Sequence, residues 1–368
     1  MEASELIPIA RPALDEEEIQ ALAEVLRSGR LAQGPQVRAF EARFADFIGT
    51  DHAVATSSGT AALHTALHAL GVQPGDEVIL PAITFFSSAA MVAAAGGTPV
   101  VVDVRAEDYN LEPEEAAKAV TPATTGIMPV HMYGQPAEMG PLRDLAEDKD
   151  LFLLEDACES VGATYGGSPV GSLGAAGCFS FYPTKVITTG EGGMVTTNDE
   201  AVASACRMFR DHGVRTKYQH EFPGFNYRMT ELAAAIGLEQ LKKLDGFLKA
   251  RAEHAARLSE GLQWLEGLEA PHVLQGRTHV WYQYIVRITE AFPLSRDDVV
   301  RQLADRGVEA RPSYPMAIHH QKAFASLGRA GPCPVAEAAL PQMLELPVHP
   351  SLSTSDLEQV VNSLREIA

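Results

Sequence analysis

Up to about residue 245 the chain carries short runs that several times over are apolar at nearly every residue. They are VIL at 78–80, PVVVDV at 99–104, IMPV at 127–130, LFLLE at 151–155, CFSFY at 178–182 and GMVTT at 193–197. A strand with one face in water alternates polar and apolar residues, whereas a strand covered on both faces need not. Between the runs lie helical patterns with glycine stops, such as AALHTALHALG ending at Gly71 and AAMVAAAGG ending at Gly96. That alternation predicts an α/β fold with a mostly parallel sheet between helices. A long helical stretch from Leu238 to Leu265 follows, then a strand (281–288), a helix (295–307), a strand (308–312) and two further helices. With 368 residues to place, the expectation is an N-terminal arm (1–14), a large domain (15–247) and a smaller C-terminal α+β domain (248–368). Ligands of open α/β sheets sit beyond the carboxyl ends of the strands, so the loops after the apolar runs are where chemistry is expected.

Composition narrows the partners. A formal net charge of −19 disfavours nucleic acid and anionic membranes, both of which require basic surface. It does not disfavour small phosphorylated ligands, which need only local donors. The longest weakly polar stretch, Ala89 to Val102, is interrupted by Gly96, Gly97, Thr98 and Pro99 and is too short to span a bilayer. The N-terminal stretch lacks the positive start and apolar run of a signal peptide, and the four cysteines (Cys158, Cys178, Cys206, Cys333) form no C-x-x-C pair. These features predict a cytoplasmic protein with reduced thiols and no metal framework.

Three features carry chemistry. Thr56-Ser57-Ser58-Gly59-Thr60 precedes the helix from Ala61; hydroxyls and free backbone N–H groups at a helix N-terminus suit a phosphate, although Ser and Thr also serve there as plain caps. Asp156 ends the LFLLE run, where a buried carboxylate must meet a cation or several donors. Lys185 follows an aromatic strand and Pro183, a setting expected to lower its proton affinity and free the amine for Schiff-base chemistry. Pyridoxal 5′-phosphate asks for this set: a phosphate cup, an acid for the ring nitrogen and a lysine. Phe85, in PAITFF, could stack on such a ring or pack in the core. No G-x-G-x-x-G, Walker A or H-E-x-x-H motif is present, and His64 with His68 reads as one face of a helix.

The segments SGRLAQGPQVRAFEARFADFIG, SSGTAALHTAL, PGDEVILPAITFFSSAAMV, PVHMYGQPAEM, EDACESVGATYGG, GSLGAAGCFSFYPTK, TTGEGGMVTTND, GFNYRMTELAAAIGLEQL and YPMAIHHQ together resemble the DegT/DnrJ/EryC1/StrS sugar aminotransferases. These are fold type I, aspartate aminotransferase-like pyridoxal-phosphate enzymes. The resemblance implies that Lys185 is the Schiff-base lysine and Asp156 the partner of the ring nitrogen. It makes Ser58, Gly59, Thr60 and Ser180 phosphate contacts, Phe85 the ring over the cofactor, and Glu159 a neighbour of the ring hydroxyl. Asn226 would reach the phosphate of a neighbouring subunit, implying a homodimer with a shared active site. Arg228 would bind substrate phosphate or carboxylate, or serve a cap or salt bridge; His319 would line the sugar site. The implied reaction transfers an amino group from L-glutamate to a nucleotide-linked 3-keto or 4-keto sugar. A keto-cyclitol acceptor and a catalytically inactive regulator are the alternatives.

Overall fold

The apolar runs become the interior strands of one eight-stranded sheet. A computed structural model describes residues 6–368; residues 1–5 of the expected N-terminal arm lie outside the described residues. In chain order the strands that matter are β1 (His52–Thr56), β2 (Glu77–Pro81), β3 (Thr98–Val102), β4 (Thr124–Ile127), β5 (Phe152–Asp156), β6 (Ala176–Ser180) and β7 (Gly193–Thr197). Beyond them come β8 (Leu268–Glu269), β9 (Tyr284–Ile288), β10 (Arg311–Pro312), β11 (Arg329–Ala330) and β12 (Met343–Leu346). The large sheet runs β1-β7-β6-β5-β4-β2-β3-β11. Only β7 is antiparallel to its neighbours; from β6 to β11 every pairing is parallel.

Both faces are covered, as the runs required. Val78, Leu80, Val101 and Leu154 pack into one apolar cluster with α3 (Gly59–Ala69) and α4 (Ser87–Ala94). The residues between them, Ile79, Val100, Val102 and Leu153, pack into a second cluster with α5 (Pro113–Ala119) and α6 (Met139–Lys149). Successive side chains of a strand point to opposite faces, so uninterrupted apolar sequence and two cores are the same fact.

The second sheet has four antiparallel strands, β8-β9-β12-β10. It packs with α9 (Arg296–Asp305), α11 (Thr354–Ile367) and the last turns of α8 (Glu231–Leu262), whereas α7 (Glu200–Phe209) lies on α3 and α10 (Pro334–Ala339) joins the first apolar cluster of the large sheet. Helix α8 is 32 residues long and runs unbroken through residues 247 and 248; its first half lies on α1 (Glu16–Ser28) and α2 (Pro35–Ile48). The strand expected at 308–312 is confined to Arg311–Pro312, because Val308 pairs instead with Ile7. Ile7 donates to Gly307 and accepts from Glu309, both at 2.9 Å, so this part of the N-terminal segment is tied by an isolated bridge to the smaller sheet's side. The C-terminal part in turn reaches back through β11, which lies beside β3. Among the described residues, no helix is long and apolar enough to cross a membrane.

One long-range contact fixes α2 against α8. The N-cap of α2 is Gly34, which has no side chain to cap with. The buried Glu231 of α8 replaces it, its two oxygens accepting from the N–H groups of Gln36 and Val37 at 2.9 Å each. Removing the carboxylate leaves two orphan donors at a dipole end. Glu231→Ala should therefore cost about 1–3 kcal/mol of stability, read as a lower denaturant midpoint with an unchanged slope.

Candidate active site

A cavity of about 700 Å³ opens where the carboxyl ends of β2, β5 and β6 face the smaller sheet. The bend between β1 and α3 forms one wall. Ser58 is the N-cap of α3 and its Oγ accepts from Ala61 N–H at 3.1 Å. The N–H groups of Gly59 and Thr60 are left without a protein acceptor among the described residues and, as first-turn amides, have none within the helix. Glycine is required at 59 by closeness: a Cβ there would meet Ser180 Cβ at 2.7 Å and Cys158 Sγ at 3.0 Å. Ser180 ends β6 on the same wall.

Strand alternation selects Asp156 over its neighbour. Glu155 points to the opposite face, fully buried, and accepts from Gly171, Leu173 and Gly174 N–H groups and from His131. Asp156 points into the cavity. It is 4% exposed, yet it has no cationic partner among the described residues. Its Oδ2 accepts from Ser88 Oγ at 2.8 Å and its Oδ1 from Cys158 N–H at 3.2 Å. Ser88, held in turn by Thr84 Oγ1 at 2.9 Å, had no signal in the sequence beyond being a hydroxyl near a turn.

Lys185 emerges from the turn after β6 with its Nζ 3.4 Å from Glu159 Oε1 and 4.0 Å from the centre of the Tyr282 ring. Tyr282 is held by a 3.1 Å hydrogen bond between its hydroxyl and Thr184 Oγ1. The aromatic setting of Lys185 predicts a lysine of reduced proton affinity, and its surroundings in the structure reverse that expectation. Burial works against the charge, but the Tyr282 hydroxyl, the Glu159 carboxylate and the Cys158 thiol around it carry the pKa above the ordinary lysine value. Glu159 is itself placed by Tyr133, whose N–H donates to its Oε2 at 2.9 Å. Tyr133 is buried with φ at +59°, a left-handed conformation that a bulky residue adopts only when its surroundings hold it there. Its hydroxyl accepts from Ser313 Oγ at 2.7 Å, and that contact with the smaller sheet's side helps to hold it.

Eight of the residues singled out from sequence thus meet in one place: Ser58, Gly59, Thr60, Phe85, Asp156, Glu159, Ser180 and Lys185. Phe85 is no core residue, for it stands 62% exposed at the cavity. Three others stay outside the cavity of this chain. Asn226 is exposed; the adjacent Tyr227 accepts from Ser57 N–H at 2.8 Å, so its segment runs along the outside of the α3 wall. Arg228 is engaged in an ion pair with Asp211, the salt-bridge alternative. His319, in a 3-10 turn, faces Glu337 at 3.3 Å rather than the cavity. Sequence reading missed Tyr282, Arg311, Ser313 and Tyr314, all of which line the cavity from the C-terminal part.

The family model for the DegT/DnrJ/EryC1/StrS aminotransferase family matches residues 12–365. GDP-perosamine synthase of Caulobacter vibrioides is 41% identical over 366 residues, covering 98% of each chain. The crystal structure of DesV from S. venezuelae superposes with a TM-score of 0.92 at 38% identity, covering 99% of this chain and 98% of that one. A sugar aminotransferase structure from Streptococcus pneumoniae described as the PLP form superposes with a TM-score of 0.92 at 27% identity, covering 98% of both chains.

The Glu159–Lys185 pairing has a direct test. Glu159→Gln removes the carboxylate but keeps the acceptor for Tyr133 N–H, so the Lys185 pKa should fall. In cofactor-free protein, labelling of Lys185 by an amine-reactive probe, followed by mass spectrometry, should move to lower pH than in the parent. An unmoved profile would show that Glu159 does not set the charge of the lysine.

Proposed function

The chain belongs to the DegT/DnrJ/EryC1/StrS aminotransferase family and is an aminotransferase; from that premise we propose that it uses pyridoxal 5′-phosphate to move an amino group from L-glutamate to a nucleotide-linked keto sugar, at C3 or C4. The observation that carries the reading is a single cavity that collects a buried carboxylate with no cationic partner among the described residues, a partly buried lysine and a helix N-terminus with open N–H groups. The carboxylate is the decisive part. A buried anion is costly without a positive partner, and Asp156 has two hydrogen bonds but no such partner among the described residues. A protonated pyridine nitrogen supplies that charge, so the residues fit the cofactor.

Bound there, the cofactor supplies an electron sink for the negative charge left when the amino donor loses its Cα proton. The chain supplies the rest. Ser58, Gly59, Thr60 and Ser180 would hold the phosphate, with hydroxyls and amides at a dipole end. Asp156 would keep the proton on the ring nitrogen, itself oriented by Ser88. Phe85 would cover the ring, which accounts for an exposed phenylalanine at a cavity mouth. Lys185 would anchor the cofactor and, once freed by the donor amine, take the proton from the donor Cα and deliver it to the cofactor carbon on the other side of the transferred nitrogen. Glu159, beside Nζ, would offset the positive charge of the protonated lysine between those moves. The same residues acting in the reverse order would aminate the keto sugar.

A second copy of the chain would complete the site. Asn226 and Phe225 are exposed on the segment beside the α3 wall, Phe225 at 44%, and a partner subunit covering this face would bring one Asn226 to the other copy's phosphate. The likeness to a GDP-perosamine synthase favours a nucleotide sugar over a keto-cyclitol. An intact Lys185 beside Asp156 in one cavity argues against a catalytically inactive regulator.

Two variants and one screen test this. Lys185→Ala should retain the fold by circular dichroism, lose the visible absorbance of the lysine-bound cofactor, and lose roughly a thousandfold or more in turnover. Asp156→Asn should keep some cofactor and lose roughly a hundredfold in rate; turnover near that of the parent would remove Asp156 from its role. Mass-spectrometric screening of 3-keto and 4-keto nucleotide sugars with glutamate should reveal one product heavier by an amine for oxygen exchange, and none would overturn the assignment.

A further inference from the structure

Two side-chain clusters among the described residues bring three possible metal ligands within 4.8 Å of one another, and both lie outside the cavity. The first, Asp15, Glu17 and Glu18, already holds a cation. The Lys243 ammonium sits 2.8 Å from Glu18 and 3.5 Å from Glu17, and pairs with Asp15 as well. The second, His319, His320 and Glu337, holds none. No lysine or arginine pairs with Glu337 among the described residues. Its partners are two imidazoles, His319 Nε2 at 3.3 Å and His320 Nε2 at 2.9 Å, both directed at the same oxygen, Oε1. His319 Nδ1 is buried with no hydrogen-bond partner among the described residues, which leaves Nε2 as the ring nitrogen open to a ligand.

Adjacent histidines alone do not make a metal site, and Glu337 stands 17 residues beyond His320. Folding joins them from two elements, each tied to the large sheet. The histidines lie in a 3-10 turn whose first residue, Ile318, donates to the Ala82 carbonyl at 3.0 Å, just past β2. Glu337 lies on α10, where the Val335 and Ala336 N–H groups donate to the buried Asp103, just past β3, at 2.8 and 3.0 Å. The backbone on both sides is therefore fixed before any ligand arrives. A tetrahedral ion with nitrogen and oxygen ligands at about 2.0–2.2 Å sets neighbouring ligand atoms about 3.3–3.5 Å apart. Both imidazole–carboxylate separations fall close to that edge. Two imidazoles and a carboxylate suit zinc and its neighbours, whereas calcium and magnesium take oxygen ligands. His320 and Glu337 are exposed, so an ion has access and water can complete its shell.

We propose that His319, His320 and Glu337 bind a divalent transition-metal ion of the zinc class, and that the ion staples the loop carrying β11. Residues 321–336, the stretch between the ligands, contain Arg329–Ala330, the strand that covers the edge of β3. A cross-link from His320 to Glu337 closes that stretch into a loop. It restrains the loop in the unfolded chain and holds a two-residue edge strand, which has few hydrogen bonds of its own, against the sheet.

The test is calorimetric titration of the tag-free, cofactor-loaded protein with Zn²⁺, which should show one ion bound per chain in the roughly micromolar range or tighter. Glu337→Gln keeps an acceptor oxygen for the imidazoles and His320→Asn alters an exposed ring, so both variants should fold. Each should weaken binding roughly tenfold or more, as expected for loss of a ligand. Zn²⁺ should also slow amide hydrogen exchange across residues 321–336 in the parent and in neither variant. Binding that needs millimolar Zn²⁺, or that is equally tight in both variants, would overturn the site. Variant-sensitive binding with unchanged exchange across the loop would overturn the staple. Either result would leave the aminotransferase reading as it stands.

Discussion

Two charges of opposite sign have been taken out of water in this cavity without being joined to each other. Asp156 is met by a hydroxyl and an amide; Lys185 is met by Glu159 and the face of Tyr282. Burying a charge without an opposite partner is unfavourable by several kcal/mol, and a fold keeps such a group only when surrounding structure holds it. That structure comes from both sheets. Asp156 stands at the end of a strand buried on both faces, whereas Tyr282 and Arg311 come from the smaller sheet's side, and Tyr133 links the two through Ser313. The cavity exists because neither sheet closes it alone.

Much of this was legible in the sequence, and the boundary is physical. The doubly covered strands showed themselves because local composition must satisfy two cores at once. Asp156, Lys185 and the Ser58–Thr60 turn were legible because each breaks a local pattern: a carboxylate ending an apolar run, a lysine beside aromatic residues, hydroxyls crowding a helix start. Glu155 also ends an apolar run. Only the side-to-side alternation of the strand, together with the family resemblance, separates it from Asp156.

What was not legible depends on residues far apart in the chain. Ile7 draws Val308 out of its expected strand, and no window containing only one of them could show it. The charge of Lys185 is set by Glu159 and Tyr282, which sequence places 26 residues before and 97 after it, so the local apolar setting pointed in the wrong direction. Arg311 carried no local signal, being one of two charges in VEARP, and its orientation at the cavity rests on Glu345 of another strand. Asn226, Arg228 and His319 illustrate the reverse case. Their roles came from resemblance, and within one chain none of them enters the cavity.

The placement of β11 bears on how the chain acquires its structure as it is made. The seven strands before it in the large sheet are complete by Thr197, but the edge of β3 is covered only by Arg329–Ala330. During synthesis that edge must therefore stand unpaired while more than a hundred further residues emerge. An open parallel edge is a template for other chains. The ion pair between Arg329 and Glu77, two hydrogen bonds at 2.8 Å, then latches the late strand at its own sheet edge. A chain cut short before residue 329 would keep every residue of the α3 wall, with Asp156 and Lys185, and still lack the strand that covers the open edge of the sheet.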